Sequence, residues 1–264
     1  MAKKEQEAPT QALAAQSENA LAVAEPGQIP SFIPTGSIEG AENISPDDAR
    51  IPRLVLAQPM TPQATKGDPL YIESLTAGVS FNDLTGEIYG DGPIDIIVVR
   101  ADNPRYVEFS DVDRSVIDPN VKFGDPRTQF TTNEKGERVR PVATTFFDFI
   151  ILMGSKLEPL ALSFKGSAIK LSARPLNGLI KAKAVPVYAQ IYRLIPKMMK
   201  NDKGTWYVYL PKQVGMIGNE ATFHRAQEAF AIFKIKKVDF DAAPPTDGSG
   251  PDAEDPAADA QTEM

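Results

Sequence analysis

Between Val187 and Val214 the chain interleaves aromatic rings with positive charge. The rings are Tyr188, Tyr192, Trp206, Tyr207 and Tyr209; the cations are Arg193, Lys197, Lys200, Lys203 and Lys212. A flat ring can stack on any nucleobase, and a neighbouring cation can hold the phosphate beside it. The same rings could instead be core or cross-strand pairs. Their concentration is the better sign, since this stretch holds the single Trp and four of the seven Tyr. Both types carry a polar tip and tolerate a half-wet surface.

A second cationic set precedes it. Lys165 leads into a stretch of helical period, Ser167 to Lys183, with Ser167 as its expected N-cap and Pro175 as a kink. Ile169, Ala173, Leu176 and Ile180 recur on one stripe, and Lys170, Arg174, Asn177 and Lys181 on another about 100° away. A straight helix would spread those cations over about 16 Å, room for several phosphates. An ordinary solvated face would look the same.

Charge along the chain is uneven. Residues 151–237 hold 15 Lys/Arg against 4 Asp/Glu, whereas 241–264 hold 7 acids and no Lys or Arg. A tethered polyanion reaches a high local concentration at a basic groove. It could compete with DNA there and serve replication or recombination proteins once displaced; it could also be a plain solubilising end.

Enzyme chemistry finds little support. There are no cysteines and one histidine, His224, which rules out thiolate sites and any multi-His metal site within one chain. No phosphate-loop pattern is present. Asp111, Asp113 and Asp125 offer only a weak Mg²⁺ set. We expect no cofactor and no metal. No 18-residue apolar run exists and MAKK leads into no apolar stretch, so a soluble, cytoplasmic protein without membrane contact is expected. A homo-oligomer is compatible with the composition.

The elements that must position these residues are mostly strands. Residues 1–45 and 241–264 read as disordered tails around one domain, 46–240. Leu54–Leu56 between Pro52 and Pro59 suggests a short edge strand, and NDLTGE a hairpin turn. Strands follow at 93–100, 105–109, 144–153 and 160–165. Residues 110–140 read as a long loop with a short hairpin near Asn133–Glu137. Strands at 187–199 and 205–214 flank KNDKG, and Asn219 caps a last helix with Phe223, Ala226, Phe230 and Phe233 on one face. The sum is a β-rich α+β fold with two helices and long loops. An OB-like small barrel fits best, ahead of another small β-barrel or a mixed sheet.

IPRLVLAQPMTP, then GVSFNDLTGEIYG, a hydrophobic strand run and KNDKGTWYVY resemble a group of tailed-bacteriophage single-stranded DNA-binding proteins. The resemblance covers roughly residues 45–215 and implies an OB-type, non-enzymatic role in viral replication or recombination. Many such proteins end their acidic tail in an aromatic residue; this chain ends Gln261-Thr262-Glu263-Met264. The competing class is a virion or assembly protein whose β-domain binds other proteins. A metal-dependent nuclease is a third.

Overall fold

Runs of β-branched and aromatic residues become strands in the computed structural model, which describes residues 50–112, 115–202, 204–235, 238 and 240. Both expected tails lie outside the described residues. The lead-in segment forms β1 (Leu54–Leu56), which pairs with β2 (Ser80–Asn82); β2 pairs in turn with β3 (Ile88–Gly90). Asn82 sets the intervening turn, its Oδ1 accepting from the N–H groups of Leu84 and Thr85.

Next come β4 (Ile94–Ala101), β5 (Arg105–Phe109) and β6 (Val116–Asp118). A two-residue ribbon, β7 (Thr131–Thr132) with β8 (Arg138–Val139), matches the small hairpin expected inside the long loop. Then follow β9 (Ala143–Met153) and β10 (Glu158–Lys165), helix α1 (Arg174–Lys181), β11 (Gln190–Asn201), β12 (Gly204–Met216) and α2 (Glu220–Ile235).

β9 organises the main sheet. β10 runs along one side of it, and β4 and β5 follow end to end along the other. β11 pairs with β4 and β12 with β11, giving the order β10–β9–β4–β11–β12, every neighbour antiparallel. Both faces are covered, which explains the unbroken apolar runs of β4 and β9. Ile96, Val98, Phe149, Ile151, Leu160 and Leu162 face β1 and α1. Ile97, Val99, Ile150 and Leu152 face the aromatic side of α2, where Ala226 and Phe233 are buried. Asn219 caps α2 as expected, accepting the Thr222 N–H at 3.0 Å.

The OB-like barrel expected from the sequence is not closed. Among the described residues β10 and β12 do not pair with each other. Segment 52–58 lies between these two edges. On β10 it makes one parallel bridge, Arg53 to Ala161, and the Ala161 N–H donates to the Pro52 carbonyl at 2.8 Å. On β12 the Gln58 amide imitates a strand: it accepts the Tyr207 N–H at 2.9 Å and donates to the Tyr207 carbonyl at 3.1 Å. The first helix adds to the wedge, Ser172 Oγ donating to the Tyr209 carbonyl at 2.5 Å.

That helix also departs from the expected start. Its N-cap is Ala168, without a side-chain capping bond, rather than Ser167. A π turn, Ile169–Ala173, comes first, and the Arg174 N–H reaches back to the Ile169 carbonyl. Pro175 accounts for the wide turn: it has no N–H for the carbonyl four residues back, and its ring would crowd it.

Candidate nucleic-acid interface

The aromatic hairpin does form, with β11 and β12 in continuous register from Tyr192–Gln213 to Asn201–Gly204 and a register shift before it, between Ile191 and Tyr192. Its rings, however, point inward. Tyr192 and Tyr209 are buried in the core with Ile96 and Leu194. Tyr188 stacks in the second core, its ring 5.1 Å from Phe230 and 5.5 Å from Phe223. Trp206 is buried as well, and Tyr207 is half-buried against Gly78, where an added Cβ would meet the ring at 2.5 Å. The stacking role expected for Tyr188, Tyr192, Trp206 and Tyr209 is therefore corrected: none of these rings offers an open face. The physical reason is position. β11 lies between β4 and β12, and the β1–β3 sheet meets β12 on the side of Tyr207 and Tyr209. Tyr209 Oη donates to Ser80 Oγ at 2.7 Å, and burial pushes its pKa up. Burial alone pushes Tyr192 up to about 12.

The cations behave differently. Lys170, Arg174 and Lys181 are all exposed along the first helix, whose other side buries Ala173 and Leu176. Lys197, Lys200 and Lys212 are exposed on the hairpin, and Lys203 lies outside the described residues. Arg193 is exposed but engaged, its Nε and Nη2 donating to the Asp95 carboxylate at 2.6 and 2.7 Å. That pair lowers the Asp95 pKa and raises that of Arg193. Lys165 is half-buried with its Nζ 5.7 Å from the Phe146 ring centre.

Strand register separates these charges. Arg193 pairs with Asp95, two residues from Ile97, and with Lys212, so both point to the face that α2 covers elsewhere. Lys197 follows by alternation. The first helix lies on the opposite face. The structure thus brings Lys170, Arg174 and Lys181 together but leaves Arg193, Lys197 and Lys212 on the other side of the sheet.

The sequence reading took the connection from β5 to β9 as a long loop and assigned it no nucleic-acid contact. Among the described aromatic residues only Phe123 and Phe130 are exposed, at 87% and 47%, and both stand there. Phe123 is 6.1 Å from Tyr106, centre to centre, with the planes inclined by 38°. Arg138 lies 3.8 Å over the Phe130 ring. Lys122, Lys135, Arg138 and Arg140 are exposed in the same segment, together with Asp111, Glu134 and Glu137. The segment is also braced. Arg127 binds Glu108 at 2.6 Å, Asp118 at 3.2 Å and Asp125 at 2.9 Å. Those bonds hold Asp125 down to about 2 and raise the Arg127 pKa. Asp125 is thus committed to an ion pair; Asp113 lies outside the described residues. The usable signal was composition: Phe123 and Phe130 sit in polar, turn-rich sequence with no apolar period to bury them.

A family model described as Pam3 phage gp34-like protein matches residues 22–239, or 218 of 264 residues. The chain belongs to this family. The match spans both core clusters except Phe240, together with the cationic helix, the hairpin and the braced loop. Membership places the protein among phage proteins, as the sequence resemblance implied at that level. Neither the curated proteins nor the solved structures offer a match. No described helix is long and apolar enough to cross a membrane.

Proposed function

We propose that this phage protein is a non-enzymatic single-stranded DNA-binding protein of replication or recombination, working in the host cytoplasm and indifferent to base sequence. The observation that carries the reading is the exposed row Lys170, Arg174 and Lys181 on a helix anchored by Ala173 and Leu176. Such a row can follow a phosphate backbone without reading bases. The strand path supports the same conclusion. Five strands in the order β10–β9–β4–β11–β12, with a helix at the open seam, are the strand path that a partly open OB-type barrel would have. In such barrels the connection between the first two strands helps bind oligonucleotides; here that is the braced, aromatic loop before β9. The acidic segment 241–264 is proposed as a competitor for the cations and a handle for replication or recombination partners.

The test is fluorescence anisotropy with labelled oligo-dT over a salt series. Log K should fall with log[salt] by about 0.7 per phosphate contact, hence by about 2 for the three helix cations alone. Absence of binding at low salt, even after removal of 241–264, would reject the proposal. The virion or assembly reading draws on exposed Val112, Ile117, Phe123 and Val142, which a partner protein could cover. Incorporation into particles without DNA affinity would favour it.

A further inference from the structure

We propose that the cleft between Tyr106 and Phe123 is a stacking site for one unpaired nucleobase, with Lys122 beside it to meet a phosphate. The proposal rests on the single-strand-binding reading above and names where the bases go. Pro104, Arg105, Tyr106, Asn120, Val121 and Phe123 line the cleft.

Phe123 is presented, not left loose. Residues Lys122 to Asp125 form a turn closed by the Asp125 N–H donating to the Lys122 carbonyl at 3.1 Å. Gly124 takes φ +88° within it, a backbone that a side chain would strain. On one flank Val121 is buried and its N–H donates to the Tyr106 carbonyl at 3.0 Å. On the other flank Asp125 accepts the Arg127 N–H at 2.9 Å, and Arg127 is clamped by three carboxylates. An apolar ring held 87% exposed at the apex of so anchored a turn gains nothing in folding. It gains when something flat covers it, and an ordered ring loses little entropy on doing so.

At 6.1 Å between centres and 38° between planes the two rings are in ordinary aromatic contact. A base enters by taking the place of Tyr106 against Phe123, whose exposed side chain swings outward while Tyr106 stays fixed in β5. Charge in the connection is mixed, with Glu134 and Glu137 exposed as well, but the cations stand next to the rings: exposed Lys122 adjoins Phe123 in the chain and Arg138 lies 3.8 Å over Phe130, which suits an anionic strand better than an apolar peptide. Tyr106 pairs with Thr145, two residues from Phe147, and Phe147 pairs with Phe164. The cleft therefore opens on the Phe164 face of the sheet, the face that carries Lys170 and Arg174.

Two variants of the full chain test it with oligo-dT. Phe123→Ala should weaken binding about 5- to 100-fold, the loss of one stacked base, while leaving the salt slope unchanged. Phe123→Trp should retain affinity, and its new, exposed indole should be quenched by oligo-dT beyond any change in buried Trp206. Wild-type binding with an unaltered Phe123→Ala affinity, or with an unquenched new indole, overturns the cleft and leaves the DNA-binding reading standing. No wild-type binding at low salt, with or without 241–264, overturns both.

Discussion

The hairpin of β11 and β12 and the connection before β9 both combine aromatic rings with cations, yet they use them oppositely. In the hairpin, Tyr192, Trp206 and Tyr209 are buried and the cations hang off the outside. In the connection, Phe123 and Phe130 are exposed and the half-exposed ion pairs of Arg127 brace the backbone. A long ladder flanked by other strands must spend its rings on packing. A turn braced by charge can hold a ring out in water. Which residue type a ring belongs to decided neither outcome; the element that carries it decided both.

This contrast can be broken by measurement. Tyr192→Ala should cost about 3–5 kcal/mol of stability, the range for emptying a buried aromatic site, read as a lower urea midpoint. A loss below about 1 kcal/mol would move the ring out of the core. Alkali should act next. The raised pKa values of Tyr192 and Tyr209 mean that the folded state holds these protons more tightly than the unfolded chain. Their contribution is complete below about pH 10 and is lost as pH rises toward 12, the Tyr192 value. Urea melts at pH 9 and near pH 11.5 should show the fall, and Tyr192→Phe should reduce it. The braced connection responds at the other end of the scale. Asp125, held down to about 2, keeps its contribution above about pH 4 and loses it as pH falls through that value.

Smaller effects concern binding. Lys170→Ala with Arg174→Ala should lower the salt slope by about 1.4, two contacts at about 0.7 each, without shifting the urea midpoint. Deleting 241–264 removes seven acids, taking net charge from −7 to 0. Affinity for short oligo-dT should rise at low salt, and the gain should fade near physiological strength, where the Debye length is about 8 Å. Unchanged affinity at every salt would make the tail no competitor. Smallest of all, Phe123→Ala should alter stability by no more than about 0.5 kcal/mol. A larger loss would place that ring in the fold after all.

Much of the fold was legible because the local signals were strong. The apolar runs at 94–101 and 143–153, the Asn82 turn and the Asn219 cap all behave as their chemistry dictates. Closure was not legible: Gln58 acting as a strand partner to Tyr207 is a contact across 149 residues with no local trace. Burial of the hairpin rings was half-visible, since Tyr192 and Leu194 share one face by alternation, as do Tyr207 and Tyr209. That a second sheet covers β12 there could not be read from period alone.

The strap at 52–58 has a consequence for how the chain is made. It leaves the ribosome early, but its partners Ala161 and Tyr207 are synthesised far later. Joining Gln58 to Tyr207 across 149 residues costs on the order of 4 kcal/mol in loop entropy, so this latch belongs among the last steps of folding. Until it engages, β10 and β12 stand as open edges that another nascent copy can pair with. The order of synthesis is thus the reverse of the order of closure, and the interval between them is when the chain is most exposed to misassembly.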